Sequence, residues 1–419
     1  MTEADELAGA GVVPAEPHDH GPDRQEALDH VRRLLRAAGA TDEEIDRAAE
    51  GHVLDLLAVD RLLLPAPTRY TQAELAEKSG IPAGLLRRLW RSLGFQDTAD
   101  DEPVFTDLDV EAARSFQDLL ALGAADVSLA FELARVIGSS MARIAEAEVG
   151  SMRALRTEDD VAAADAFASV ADVTLPTMGR LLEFVWRRQL QAAARRAMLL
   201  RERGALSGAT ANLVVGFADM VGFTLLSQHL TEEELADVVQ RFEVVSHDII
   251  TAMGGRVIKM IGDEAMFVVP DVVAGARIAV ELADAYAGDE LLSDVRVGLA
   301  FGPVLLREGD VFGSTVNLAS RIVNIANPGT VLVSDEMHEH LAEAAPDAFT
   351  MTPLRPRVLK DVGRVQLWWC ARAGDRSEGA SSASDHRRKV RFDRLADVAD
   401  ASCQASGLGQ PGGGDPKRA

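Results

Sequence analysis

The sequence predicts an α+β chain: an all-α first half, then a domain in which helices cover a single sheet. Three observations lead there. Between residues 25 and 206 the apolar residues recur three and four apart, the period of helices with one buried face. From Asn212 the rhythm changes, and short apolar runs of strand length are interleaved with longer helical stretches. The chain has 419 residues, 47% of them hydrophobic, which is enough for two or three domains that each bury a core.

Residues 1–24, rich in Pro, Gly, Asp and His, read as a disordered arm. A helical domain is expected over 25–175. Leu28, Val31, Leu34 and Leu35 repeat at helix spacing, and Leu54, Leu57, Leu62 and Leu63 continue a buried face up to the break at Leu64-Pro65-Ala66-Pro67. Thr71 with Glu74 forms a capping-box pattern, Gly80 ends that helix, and a second helix runs through Leu85, Leu86, Leu89 and Trp90 to Gly94. This is a helix-turn-helix outline over 70–95. It resembles the winged helix of mercury-resistance-type transcription regulators over one helix pair, where Arg87, Arg88 and Arg91 would read bases or phosphates. The other reading is a compact helical module that never touches DNA, and the acidity of the chain favours it. Residues 106–175 are Ala-rich and helical, with an acidic loop at Glu158-Asp159-Asp160.

Pro176 opens a connector helix over 176–206, closed by Gly204 and Gly208. Trp186, Leu190, Ala193, Ala197 and Leu200 form a short heptad seam, and Arg187, Arg188, Arg195, Arg196, Arg201 and Arg203 make the outer face basic. It is either an ordinary amphipathic helix or a connector that carries strain between domains.

The second domain is expected over 207–374. Leu213 to Ala218 reads as a buried strand. Thr231 to Met253 is a long helix with Glu232, Glu233 and Glu234 in its first turn, where the helix dipole favours anions. Val257–Ile261 and Ala265–Val269 are strands around Gly262-Asp263. A helix over Val272–Tyr286, a strand over Val295–Phe301, a helix over Thr315–Ala326 and a strand over Val331–Val333 follow. Two closing strands are expected near 354–360 and 364–371. Residues 375–419 read as a disordered tail whose basic cluster, His386 to Lys389, is solvated.

The formal net charge of −23 opposes non-specific binding to nucleic acid and to anionic membranes. Cys370 and Cys403 cannot build a disulfide framework or a zinc cluster, which fits a reducing cytosol. The N-terminus has no basic leader before an apolar core, and the best apolar run, Ala211 to Phe223, is short and carries Asp219. A cytoplasmic location with no membrane partner is expected.

Two acids stand at strand ends beside glycines: Asp219 in Phe217-Ala218-Asp219-Met220-Val221-Gly222-Phe223-Thr224, and Asp263 in Lys259-Met260-Ile261-Gly262-Asp263-Glu264. Two acids held on a rigid sheet and open to ligand suit a pair of hard divalent cations. The turn through Gly222 can aim backbone N–H groups at a phosphate. In the segment Asp310 to Arg321, Asn317 and Arg321 are four apart and share one helix face. Side by side, an amide and a guanidinium can orient a ribose and stabilise charge on a phosphorane.

The segments Phe217–Thr224, Lys259–Phe267 and Asp310–Arg321 resemble the three signature blocks of class III nucleotide cyclases, and the likeness covers about 210–372. The resemblance implies a ferredoxin-like, palm-type domain with helices on a mostly antiparallel sheet. It implies that Asp219 and Asp263, with the Met220 carbonyl, hold two Mg²⁺ or Mn²⁺ ions. It makes Lys259 and Asp310 the adenine-selecting pair, and Asn317 and Arg321 the transition-state residues. Gly222, Phe223 and Thr224 fall at the phosphate turn, Lys360 matches the triphosphate lysine near the closing hairpin, and Arg307 stands in for a phosphate arginine. The expected substrate is ATP, and the expected assembly is a homodimer in which each site draws on both chains. The helical domain resembles the regulatory domain that precedes some of these cyclases and responds to pH there; His30 and His52 are its histidines within reach of neutral titration.

The base choice also follows from donor and acceptor logic. Lys259 can donate to adenine N1 and Asp310 can accept from the exocyclic amine, whereas guanine mismatches both contacts. Two rivals stand. Ile261-Gly262-Asp263-Glu264-Ala265 is superficially like the signature of diguanylate cyclases, but the Asp310–Arg321 block has no place there. A DNA-binding regulator with a degenerate cyclase domain would not need the full set Asp219, Lys259, Asp263, Asp310, Asn317 and Arg321.

Overall fold

The computed structural model describes residues 24–64, 69–121, 127–151, 160–202, 204–289 and 292–374. The arm expected before Arg24, the tail expected over 375–419, and Glu158 and Asp159 of the acidic loop lie outside these residues. Two compact units divide between Ala192 and Ala193.

The first unit is helical: α1 (Arg24–Ala37), α2 (Asp42–Glu50), α3 (Leu54–Ala58) running into a π turn at Val59–Leu63, α4 (Gln72–Ser79), α5 (Ala83–Ser92), α6 (Asp107–Ala121), α7 (Val127–Ser151) and α8 (Asp160–Ser169). The spacing that predicted α1 buries Val31 and Leu35, which pack with Ile45, Leu54 and Phe167 in one core. A second core joins Leu75, Ile81, Leu86 and Phe105. Thr71 and Glu74 cap each other as their spacing requires, and Gly80 closes α4 with φ 75 in the left-handed region. Helices α4 and α5 thus flank a glycine turn, and the arginines of α5 have partners within the module. Arg87 reaches Asp100 at 2.5 Å and Gln72 at 3.1 Å, Arg91 pairs with Asp97, and Arg88 lies 4.2 Å from the Phe131 ring centroid.

Helix α9 (Leu175–Glu202) follows a π turn at Val170–Thr174. It ends before Gly204, which takes φ 65. The heptad seam on it stays open in the single chain: Trp186 is 61% and Leu190 55% exposed, and only Leu200 is buried.

The second unit holds β1 (Leu206–Ser207), β2 (Thr210–Met220), α10 (Phe223–Leu226), α11 (Glu232–Ala252), β3 (Arg256–Ile261), β4 (Glu264–Val269), α12 (Val272–Gly288), β5 (Val295–Arg307), β6 (Asp310–Phe312), α13 (Ser314–Ile325), β7 (Val331–Ser334), α14 (Asp335–Ala344), β8 (Phe349–Pro353), β9 (Arg357–Leu359), β10 (Gly363–Val365) and β11 (Leu367–Arg372). The main sheet runs β3-β4-β2-β5-β7-β11-β8, with β1 on β2 and β6 on β5. Every pair is antiparallel except β5 with β7, which α13 joins as a crossover. The order β3-β4-β2-β5 with helices after β2 and β4 is the ferredoxin-like βαββαβ unit.

Period-two alternation along β2 sorts its side chains between two cores. Val214, Ala218 and Met220 face α11, α12 and α14, where Phe242, Tyr286 and Met337 are buried. Leu213, Val215 and Phe217 face the other way, with Ile322 and Val323 of α13 and Leu200 of α9. The Tyr286 hydroxyl is buried but satisfied by Ser246 at 2.6 Å and the Phe242 carbonyl at 2.9 Å. Cys370 is buried in β11, and burial pushes its thiol up to about 12, so it is inert at neutral pH.

The chain's end differs from the expectation of two long closing strands. Pro356 interrupts the first, of which Arg357–Leu359 is strand: β9 pairs with β10 in a separate hairpin through Leu359↔Gly363, while β11 takes most of the second and pairs with β8 at the sheet edge. Helix α14, capped by Ser334 onto the Met337 amide, lies in a stretch given no element by the sequence reading. Strand β5 runs six residues past the expected Phe301, to Arg307.

Among the described residues, no helix is long and apolar enough to cross a membrane.

Gly298 sets how closely α13 approaches the sheet. A Cβ there would lie 2.4 Å from the Val323 backbone nitrogen and 2.9 Å from the Ala319 carbonyl oxygen. Backbone cannot yield as a side-chain tip can, so Gly298→Ala should lower stability by about 1–3 kcal/mol. Thermal denaturation checks this; an unchanged Tm would show that α13 slides freely on β5.

Candidate active site

Strand β2 carries Asp219 one residue from its end, directly opposite Glu264 of β4 and Arg296 of β5. The Met220 N–H donates to the Asp263 carbonyl at 2.9 Å, so the end of β2 and the β3–β4 turn are tied together. Gly262 takes φ 61 in that turn and Gly222 φ 79 in the next, conformations that glycine adopts without strain. The sequence-predicted acids Asp219 and Asp263 thus share one corner. Burial, and behind it the charge of Asp219, hold the Asp263 carboxyl above its ordinary range. Burial, then Asp219 and Asp263, do the same to Glu264. Arg296 answers this negative charge: its Nε donates to Asp219 Oδ2, and its Nη1 reaches the Asn324 carbonyl at 3.4 Å.

A second cluster is the Lys259 Nζ–Asp310 Oδ2 ion pair, 2.8 Å long, which joins β3 to β6 across 51 residues of sequence. A β-bulge between Val257 and Lys259 sets Lys259 opposite Met266. Asp310 also accepts from the Val311 amide at 2.8 Å. Arg307 is the register partner of Asp310 in the β5–β6 hairpin and lies 3.6 Å from Glu308.

A third cluster lies on α13. Its buried face is Thr315, Ala319, Ile322 and Val323, which leaves Asn317 exposed and Arg321 half-buried off that face. Arg321 Nη2 is 3.7 Å from Asp361, the neighbour of Lys360 in the β9–β10 hairpin, so Arg321 and the Lys360 turn belong to one neighbourhood. Phe223 and Thr224 open α10 next to the acid corner.

Family models match both units: an adenylate cyclase regulatory domain over residues 19–193 and an adenylate and guanylate cyclase catalytic domain over 207–371. An adenylate cyclase of Streptomyces coelicolor is 35% identical over 354 residues, 78% of this chain and 92% of its own length. The chain belongs to the class III adenylate cyclases. A Mycobacterium tuberculosis protein named as a pH-sensitive adenylate cyclase is 33% identical over 377 residues, 87% of this chain and 93% of its own. The crystal structure of the Pseudomonas aeruginosa adenylyl cyclase CyaB superposes with a TM-score of 0.35 at 21% identity, over 41% of this chain and 99% of that one.

Sequence reasoning missed two groups in the acid corner of this cyclase, Arg296 and Glu264. Both had a signal. Arg296 breaks the apolar run Val295–Phe301, and alternation in β5 places it on the face of Gly298 and Ala300. Glu264 directly follows Asp263 at the mouth of β4.

Proposed function

We propose that this cyclase converts ATP to 3′,5′-cyclic AMP and pyrophosphate at sites shared between two copies of the chain, with two divalent cations, and that residues 25–175 gate it through the connector over 176–206. The catalytic domain is taken as 207–374. The observation that carries the base choice is the Lys259–Asp310 pair, formed and half-exposed, with a donor and an acceptor side by side. Adenine N1 and the exocyclic amine match that order, and guanine does not.

The acid corner fits Mg²⁺ or Mn²⁺. Among the described residues no three acidic, histidine or cysteine side chains form a ready cage. Two carboxylates and a backbone carbonyl are what these hard ions take when phosphates and water complete the shell. Asp219, Asp263 and the Met220 carbonyl would hold them, and a cation there would offset what burial, and then the charge of Asp219, cost the charged Asp263 carboxylate. When bound, the cations lower the pKa of the ribose 3′-hydroxyl and neutralise the triphosphate. The 3′-hydroxyl gives its proton to water, and its oxygen forms a bond to the α-phosphorus as the bond from that phosphorus to the pyrophosphate oxygen breaks. Asn317 orients the ribose, and Arg321 meets the charge on the phosphorane. Lys360, Arg307 and the turn at Gly222, Phe223 and Thr224 hold the phosphates.

Within one chain the ion pairs Asp219–Arg296, Lys259–Asp310 and Arg321–Asp361 mark three clusters, and apolar side chains beside them stay exposed, Ile261 and Val358 among them. Those patches and the exposed Trp186 and Leu190 of α9 support a homodimer. A location in the cytoplasm and the lack of a nucleic-acid partner complete the reading; the internal pairing of Arg87 and Arg91 supports the latter.

The test of the function is the double variant Lys259→Glu, Asp310→Cys. Its kcat/KM for ATP should fall by at least about 100-fold, because both base contacts mismatch. Unchanged ATP kinetics would make the pair structural. Gating has its own test, the pH–rate profile of the full chain against residues 193–419. His30 meets Asp165 at 2.7 Å and so joins α1 to α8. The profiles should differ between about pH 5.5 and 8; superposition would remove pH as the signal.

A further inference from the structure

A cavity of about 360 Å³ opens between residues 193–200 of α9 and the β5–β6 hairpin, away from the acid corner. Its floor is apolar, built from Ala197, Leu200, Leu206 and Leu213. Its charges do not balance. Asp310 at the rim is committed to Lys259 at 2.8 Å, and Glu308 lies 3.6 Å from Arg307. Arg196 and Arg256 also line the cavity, and among the described residues neither has a carboxylate at ion-pair distance. Arg256 instead donates from Nη1 to the Gly309 carbonyl at 2.9 Å. Two half-buried guanidinium groups thus face one space. Burial, and then the charge of Arg196, pull Arg256 below the ordinary arginine range, which Asp310 only partly offsets.

We propose that this cavity binds a small organic anion, a carboxylate or phosphate monoester whose charged end is forked by Arg196 and Arg256 and whose apolar body lies on Leu200, Leu206 and Leu213. Like charges held together in a low-dielectric space repel, and an anion between them relieves both at once. The planar guanidinium donates two parallel hydrogen bonds to carboxylate or phosphate, so one geometry serves either head group. The volume falls at the small end of the range for ligand sites, roughly 300–1,000 Å³, and suits one ring or a short chain. Arg256 holds the turn that carries Asp310. A bound anion would therefore tie the connector's last turns to the hairpin; this consequence, unlike the binding itself, rests on the base-reading role of Asp310.

The experiment uses the full chain and ¹⁹F NMR of three probes: 4-fluorobenzoate, 4-fluorophenyl phosphate and the neutral 4-fluorobenzamide. Saturable binding is expected for at least one anion and not for the amide, and whichever anion binds names the head group. Arg196→Ala should weaken it by at least about tenfold, the loss of one charge-assisted contact. Arg196→Gln, which keeps the length of the side chain, should weaken it similarly. A non-hydrolysable ATP analogue should leave it in place. No saturable binding of either anion, wild-type affinity in both Arg196 variants, or displacement by the ATP analogue would each overturn the proposal.

Discussion

Asp263→Ala should lower cyclase activity by at least about 100-fold while leaving the fold as stable as before or more so. The loss follows from removing one of two carboxylates that would hold the cations; deleting a single group that stabilises transition-state charge typically costs about 10²–10³ in rate. The stability half follows from linkage. The Asp263 carboxyl sits above its ordinary range in the folded chain, because burial and Asp219 disfavour its charged form. A carboxyl with a raised folded pKa binds its proton more tightly folded than unfolded. Its contribution therefore turns unfavourable as pH rises past the unfolded value, and it stays so at neutral pH. Removing it relieves that cost. Asp219→Ala should behave differently in the melt: it removes the carboxylate that accepts from Arg296 Nε, and a half-buried guanidinium that loses its hydrogen-bonded carboxylate is costly. Both variants lose activity, but only Asp219→Ala should lower the Tm. Wild-type activity in Asp263→Ala would remove the two-cation reading, and a lowered Tm there would contradict the assigned charge balance.

What the sequence discloses and what it hides divide along physical lines. Local rules carried far. Thr71 with Glu74 caps α4 with both reciprocal bonds, and the buried strand expected at Leu213–Ala218 lies within β2. The acids at the glycine turns come together because a strand end and the next hairpin turn are neighbours in this topology. Long-range pairing was the part that stayed hidden. Asp219 and Arg296 are 77 residues apart, and nothing local says that their strands align with these two opposite one another. Arg256 and Gly309, 53 apart, are the same kind of case. The closing strands were misread because prolines end a ladder that periodicity alone would continue, and the β9–β10 hairpin leaves the main sheet there. The basic positions of the helix-turn-helix outline looked available for phosphates, yet acids at Asp97 and Asp100, just past that helix, take two of them.

The central claim, that one active site is assembled from two chains, is tested most directly by mixing Asp263→Ala with Asn317→Ala. Neither homodimer should turn over, since one lacks the acid corner and the other the ribose-orienting amide. In the heterodimer, one site combines both defects and the other combines neither, because acids and amide come from different chains. Purified heterodimer, isolated through two different affinity tags, should therefore show about half the wild-type activity per dimer. An inactive heterodimer, with its composition confirmed by native mass spectrometry, would contradict the account and show that each chain builds its own site.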